Sequence, residues 1–208
     1  MTESIIFAAL QDIAYFLLLI GGGWFFGVAF YKIYKGQPVF AKKAFLATER
    51  GIYKIMGVDP EEEMTAKKYA LGIFLFTIFS LILFIAIVML QAYLTMNPEE
   101  IGGMSWHLAF NTAASFVTNT NWQAYSGETG LSYLSQMLCL TVQNFLSGAV
   151  GIAVLYALMR GFTRKECRTV GNCWADITRV TLFMLPVCFI GAVLLISQGV
   201  PQLSLIHI

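Results

Sequence analysis

Two long stretches of this chain contain no charged residue, and they constrain its fold more than any other feature. Residues 69–94 and 132–159 are uncharged and largely apolar. Each stretch exceeds the roughly 20 residues that an α-helix needs to cross a bilayer. Only 12% of the 208 residues are charged and the net charge is +1, whereas about 25% are charged in soluble domains. This composition excludes an ordinary soluble domain and offers no basic surface for nucleic acid.

The positively charged residues occupy two windows. Eight Lys and Arg lie in 32–68, the other five lie in 160–179, and none lies between these windows. Because Lys and Arg near membrane helices stay on the cytoplasmic side, both windows are predicted to be cytoplasmic. The segment between them must then cross the membrane an even number of times, and the two uncharged stretches satisfy this requirement.

Two further apolar runs, 13–31 and 180–196, complete the prediction of an all-α membrane protein with four transmembrane helices. The N-terminus is then predicted to lie outside. The start of the first run carries Glu3 and Asp12 instead of basic residues, so a signal peptide is not expected. The predicted organisation is a leading transmembrane helix in 1–31, a cytoplasmic connector with short helical pieces in 32–68, two spans and their loop in 69–159, a cytoplasmic loop in 160–179 and a further helix in 180–202.

The loop between the two central spans, 95–131, is not typical of a simple connection. Residues 107–117 are rich in Ala and aromatic side chains and predict a helix. At ~1.5 Å per residue, that helix reaches only about half of the ~30 Å hydrocarbon core. An uncharged polar run, 118–123, and a turn at 125–130 follow. A short entering helix with a polar return indicates a re-entrant pore loop. A polar extracellular loop with an amphipathic surface helix remains the alternative.

The polar run has the chemistry of a potassium site. In such sites backbone carbonyl oxygens replace the hydration shell of the ion, and the negative end of a short helix points toward it, so no carboxylate is needed. Asn121 is notable because Asn tolerates positive φ, which can be required to turn successive carbonyls inward. The residues expected to supply the carbonyl oxygens are Thr118, Asn119, Thr120 and Asn121.

Residues 111–123 resemble the first pore region of the potassium-binding A subunit of the bacterial Kdp potassium-transporting ATPase. The similarity continues through 125–128, 140–147 and 160–164, and it is strong over roughly 64–202. It implies a subunit related to the Trk and Ktr potassium transporters, with four membrane-pore-membrane repeats around one pore. Residues 69–159 would be the first repeat and 180–202 the first helix of the second. The tail 203–208 departs from the family pattern, and we interpret it as a truncated or artefactual end.

The resemblance also implies roles for particular residues. The backbone of 118–121 would form the potassium-binding filter, with support from Gln123, Asn111 and Glu128. The potassium ion is the expected ligand, with no organic cofactor and no transition-metal site. The four cysteines form no CxxC pair. The third helix contains three amides, Gln136, Gln143 and Asn144, which either line the pore or bond to a neighbouring helix.

No motif for catalysis is present. The sequence contains neither a GxxxxGKS/T loop, nor the Asp-Lys-Thr-Gly phosphorylation sequence, nor a GxSxG elbow. The chain is therefore not expected to be an enzyme on its own. The resemblance implies that a catalytic P-type ATPase B subunit hydrolyses ATP, with a C subunit and a small single-span F subunit completing a multi-pass complex in the lipid of the bacterial inner membrane.

The favoured interpretation is a subunit that selects external potassium and delivers it to the catalytic subunit. A Trk- or Ktr-like potassium transporter or channel subunit is the second hypothesis. A membrane scaffold without an ion site is the third.

Overall fold

The structure is a computed structural model that describes residues 2–165 and 167–200. Within these residues there is no strand, and the one β-type contact is an isolated antiparallel bridge between Thr65 and Thr169. A 3₁₀ turn (Gln91–Tyr93) and a π-helix (Gln136–Thr141) interrupt the α-helices. The tail 203–208 lies outside the described residues. In chain order the α-helices are α1 (Thr2–Tyr34), α2 (Lys42–Met56), α3 (Ala66–Leu90), α4 (Trp106–Val117), α5 (Gly127–Gly130), α6 (Tyr133–Ser135), α7 (Val142–Thr163) and α8 (Cys173–Ser197).

Four helical segments are long and apolar enough to cross a membrane, which confirms the prediction of an all-α protein with four spans. They are Ile6–Tyr34, Ala66–Tyr93, Tyr133–Thr163 and Cys173–Ser197. The third span is continuous through α6, the π-helix and α7. α8 begins at Cys173, before the uncharged run 180–196, because Asp176 and Arg179 in its first turns are paired with Arg160 and Glu49.

The chain divides into two compact units, Met1–Thr48 and Glu49–Ile208. The first unit contains α1, which carries exposed apolar side chains along most of its length. This helix ends at Tyr34, and Gly36 follows with a φ of +70°. The second unit contains α3 to α8, and the candidate site lies within it.

The core of the second unit surrounds α4. The rings of Phe84 from α3 and Phe116 from α4 pack with their centroids 5.9 Å apart. Ala109 and Ala113 are fully buried, and their small side chains let α4 approach its neighbours closely. Cys139 of the π-helix completes this cluster. The short helix is therefore held between α3 and the third span by apolar contacts on more than one side.

At one end of the bundle, here called the basic end, Arg160, Asp176 and Tyr69 join three helices. Arg160 donates to both carboxylate oxygens of Asp176, from Nη1 at 2.5 Å and from Nη2 at 2.8 Å. The Tyr69 hydroxyl lies 2.9 Å from Oδ2 of the same carboxylate. Arg160 is 5% exposed and Asp176 is 2% exposed. A buried, bidentate ion pair therefore fixes α7 against α8 beside α3.

A second buried pair joins α2 to α8. Arg179 Nε donates to Oε1 of Glu49 at 2.6 Å, and the Tyr53 hydroxyl donates to the same oxygen at 2.7 Å. Burial raises the pKa of Tyr53, so its hydroxyl stays protonated and remains a donor. These contacts explain how α8 can begin at Cys173 and contain charged residues in its first turns.

The other end of the bundle, here called the loop end, is organised by the side chain of Gln91. This side chain is fully buried. Its Nε2 donates to the carbonyl oxygens of Gly102 at 2.7 Å and Gly130 at 2.9 Å, and its Oε1 accepts from the Ser132 N–H at 3.1 Å. One amide thereby connects the end of α3 to the segment before α4 and to the start of the third span.

The backbone before α4 also passes close to α3. The Met104 N–H donates to the carbonyl oxygen of Val88 at 3.1 Å. A Cβ at Gly103 would lie 2.2 Å from the carbonyl oxygen of Met89, whereas a Cβ at Gly102 would meet nothing within 4 Å. Glycine is therefore required at position 103 by a close approach of two backbones.

Candidate functional site

The candidate site is the segment 118–121, which follows α4 directly. The helix ends at Val117, and Thr118 already has non-helical angles of φ −87° and ψ 5°. All four backbone N–H groups of 118–121 donate back to carbonyl oxygens in the last turn of α4, at 2.9 to 3.3 Å. These bonds satisfy helix carbonyls that would otherwise lack partners. The segment therefore folds over the end of its own helix.

The sign of φ alternates along this segment. Asn119 and Asn121 have φ values of 58° and 59°, whereas Thr118 and Thr120 are not in the positive region. Asn is one of the few non-glycine residues that adopt this conformation with little strain. Positive φ is thus present at Asn121, for which the sequence suggested it, and also at Asn119, for which it did not.

The carbonyl oxygens of the same four residues are available to a ligand. No residue in 2–165 or 167–200 donates a hydrogen bond to any of the four oxygens. All four residues are exposed. The segment cannot bind an anion through its backbone, because such a site needs free N–H groups and all four N–H groups here donate to α4. Free carbonyl oxygens beside the negative end of α4 instead suit a cation such as potassium.

A buried serine holds the segment in this form. Ser115 is 2% exposed, and its Oγ donates to the carbonyl oxygen of Trp122 at 2.8 Å. The Ser115 carbonyl oxygen accepts from the N–H groups of both Thr120 and Asn121. The hydroxyls of Thr118 and Thr120 lie 2.9 Å apart. Ser115 was not among the residues predicted for the site, because α4 contains three other polar side chains and its sequence does not distinguish Ser115 from them.

The three residues expected to support the filter lie in three different segments of the chain. Gln123 is exposed, and its Nε2 donates to the Tyr125 hydroxyl at 3.3 Å. Burial raises the pKa of Tyr125, which keeps that hydroxyl protonated. Asn111 lies on α4, and its buried Oδ1 has no hydrogen-bond partner among the described residues. Glu128 lies in α5, accepts a hydrogen bond from Ser126, and lines a small cleft at the loop end.

The third span touches the segment through Ser147. Its Oγ lies 3.3 Å from Oδ1 of Asn119 and 2.6 Å from the carbonyl oxygen of Gln143. Ser147 and Gln143 are each 5% exposed. Gln143 was one of three amides expected to line the pore or bond to a neighbouring helix, whereas no role was predicted for Ser147. Within the described ranges, no three His, Cys, Asp or Glu side chains could together hold a metal ion.

Comparison with known proteins agrees with the resemblance seen in 111–123. Residues 13–205 match the family described as "Potassium-transporting ATPase A subunit". The chain belongs to this family. One relative is the "Potassium-transporting ATPase potassium-binding subunit" of Pseudomonas fluorescens (strain Pf0-1), which is 49% identical over 191 residues, or 91% of this chain and 34% of the relative. The protein of the same name from Listeria monocytogenes serovar 1/2a is 50% identical over 197 residues, or 94% of this chain and 35% of the relative.

Membership in the potassium-transporting ATPase A subunit family confirms the recognition made from the pore-loop sequence. The matched residues include the whole candidate segment, α4 and all the residues that position it. The chain spans about a third of the length of the curated relatives it matches. The activity of the whole protein is therefore a separate question from the family of this part.

Proposed function

We propose that the full-length protein is the potassium-selecting, potassium-binding subunit of an ATP-driven potassium importer. The carbonyl oxygens of 118–121 would form one wall of its ion site, and 106–121 would enter the membrane as a re-entrant loop. The observation that supports this most directly is the division of the backbone groups: every N–H in the segment bonds back to α4, while the carbonyl oxygens have no donor among the described residues. The names of the relatives support potassium as the ion.

The subunit would bind and deliver the ion without hydrolysing ATP. A catalytic P-type ATPase B subunit would supply the energy, with a C subunit and a single-span F subunit completing the complex. The names of the relatives, which describe a potassium-binding subunit of an ATPase, support this division of labour. We further propose that Gln123, Asn111 and Glu128 support the filter from outside its carbonyl row.

The proposed location is the bacterial inner membrane, with the basic end in the cytoplasm and the loop end and N-terminus outside. All 13 Lys and Arg lie in 32–68 and 160–179. Translocation of so many positive residues would be unfavourable, so this distribution supports the orientation.

The test uses the full-length protein in its complex. In the Asn121→Val variant, a β-branched residue would have to occupy positive φ, which is strongly disfavoured. We expect the KM for potassium uptake to rise about tenfold, as a strained or rearranged backbone costs one to three kcal/mol. Met96→Val is the matched control, because Met96 also has a positive φ (61°) but lies before α4.

Three measurements decide the proposal. Potassium-stimulated ATP hydrolysis should co-purify with the tagged protein, and sodium should not replace potassium. The KM should change in Asn121→Val and stay within about twofold in Met96→Val. Equal changes in both variants would contradict the assignment of the ion site, and purification without ATP hydrolysis would favour a free-standing transporter.

A further inference from the structure

We propose that Ser147 of α7 is a positioning residue that sets the potassium affinity and ion selectivity of the segment 118–121. It would act through the side chain of Asn119 and would not touch the ion. This inference rests on the proposed function and names a determinant of that site outside the pore loop itself.

Among the described residues, the Ser147–Asn119 contact is the one hydrogen bond between the segment and another helix. Within the described part of the chain, every other hydrogen bond made by 118–121 stays inside 114–121. Ser147 lies 28 positions further along the chain, and its Oγ is 3.3 Å from Oδ1 of Asn119. This hydrogen bond therefore joins the segment to the third span.

Ser147 is itself held firmly in place. It is 5% exposed, and its Oγ lies 2.6 Å from the carbonyl oxygen of Gln143, one turn earlier in the same helix. A serine hydroxyl has one proton, so the two oxygens within reach share it. The 2.6 Å contact with Gln143 orients the Ser147 hydroxyl. The 3.3 Å contact with Asn119 places this hydroxyl next to the Asn119 amide.

Asn119 is the residue whose orientation matters most for the carbonyl row. Its φ is 58°, and the directions of the two peptide planes that flank it depend on this backbone conformation. Its side chain also lies 3.4 Å from Nδ2 of Asn121, the second residue with positive φ. Fixing the Asn119 side chain therefore limits rotation of the peptide planes on both sides of it, including the planes that carry the Thr118 and Asn119 carbonyl oxygens.

Loss of the Ser147 hydroxyl should loosen the site without disabling the pump. A single shared hydrogen bond has a small net effect. We therefore expect Ser147→Ala to raise the KM for potassium about three- to tenfold. The kcat should stay within about twofold, because no group that contacts the ion is removed. Discrimination against sodium should fall, since a less constrained carbonyl row can contract around a smaller ion.

The experiment measures potassium uptake and sodium competition by the full-length protein in its complex. Ser147→Thr should retain most of the affinity, because a helical Thr keeps a hydroxyl that can bond to the carbonyl one turn back. Ser80→Ala is the matched control: Ser80 is 7% exposed and lies on α3, and no hydrogen bond within the described residues joins it to 118–121. Its KM should not change.

Repeating the Ser147→Ala measurement in a protein that already carries Asn119→Gly shows whether Ser147 acts through Asn119. Asn119→Gly keeps access to positive φ but removes the amide. Ser147→Ala should then cause no further increase in KM, as expected of two residues that act as one unit. If Ser147→Ala fails to reach the membrane, Ser147→Cys in both backgrounds gives the same comparison, because a thiol is only a weak donor.

Each outcome has one meaning. An unchanged KM in Ser147→Ala, or an equal increase in the presence and absence of the Asn119 amide, would refute the positioning role. If Asn121→Val still raises the KM in that case, the proposed ion site stands and only this inference fails. If neither Asn121→Val nor Ser147→Ala changes the KM, the segment 118–121 is not the filter, and both proposals fail.

Discussion

Arg160 and Asp176 form a bidentate ion pair between α7 and α8 in which both side chains are almost completely buried. Asp176→Asn would leave the guanidinium without its counter-charge. Breaking such a pair from one side costs about 3–5 kcal/mol, because an uncompensated charge remains buried. We expect a clear decrease in the thermal unfolding temperature of the purified full-length protein.

The exposed pair Glu63–Arg164 is the control for this prediction. Its side chains are 47% and 35% exposed, so water screens the interaction. Glu63→Gln should cost only about 0–1 kcal/mol. The Arg164 hydrogen bond lowers the pKa of Glu63, so this small contribution is present at neutral pH and is lost as the pH falls through the lowered pKa. Equal destabilisation by both substitutions would contradict the role given to burial.

Substitution of Asn121 by glycine should be milder than substitution by valine. Glycine keeps access to the observed φ of 59°, whereas a β-branched residue does not. Potassium uptake by the full-length complex, measured across a concentration series, should give a KM for Asn121→Gly near that of the unsubstituted protein. A better-functioning valine variant would show that backbone conformation is not what Asn121 provides.

Neighbouring glycines before α4 should differ sharply in their tolerance of alanine. Gly103→Ala would bring a Cβ within 2.2 Å of the Met89 carbonyl oxygen, whereas Gly102→Ala meets open space. We expect Gly103→Ala to destabilise the protein by about 1–3 kcal/mol, as overpacking typically does, and Gly102→Ala to be nearly neutral. Thermal unfolding of the two purified variants checks this difference, which would vanish if the two backbones were not in contact.

Thiol labelling should place both ends of the α4 loop on one side of the membrane. Cysteines introduced at Tyr93 and Thr129, which are exposed before and after α4, should react with an impermeant reagent from outside intact cells. The native Cys167 is exposed, and hydrogen bonds from Thr169 lower its pKa, so it should react readily but only after permeabilisation. Labelling of Tyr93→Cys and Thr129→Cys from opposite sides would make α4 a full span.

The 208-residue chain expressed alone should not transport potassium. In the function proposed above it would supply one wall of the ion site, and the relatives are about three times longer. Backbone carbonyls without partners are unfavourable in hydrocarbon, so the loop would need other protein segments around it. Selective potassium flux above that of empty liposomes, driven by a gradient, would instead indicate a self-assembling channel.

The sequence predicted the spans because their signal is long and local. The absence of charge over 69–94 and 132–159 is sufficient to indicate two helices. The ends of the helices could not be predicted in the same way. Asp176 and Arg179 lie inside α8 because partners at Arg160 and Glu49 neutralise them, and such pairing depends on the tertiary fold.

The sequence was sufficient to predict which residues form the candidate site, but it did not predict the contacts that hold them in place. A polar, uncharged run after a short helix indicated carbonyl ligands at 118–121, and Asn121 suggested positive φ. The tethers Ser115 and Ser147 were not apparent, since a serine in a membrane helix usually bonds to its own backbone. Their importance depends on which face of each helix meets the loop.

The π-helix Gln136–Thr141 determines which way the later residues of the third span face about the helix axis. A π-type turn contains one residue more than the corresponding α-helical path, and one residue corresponds to about 100° of rotation about the helix axis. Everything after Thr141 is turned by that amount relative to α6, which Gln91 holds through the neighbouring Ser132. The same rotation therefore orients Ser147 toward the loop and Arg160 toward α8. Sequence alignments of this span should treat 136–141 as a place where one inserted or deleted residue changes the neighbours of every later side chain.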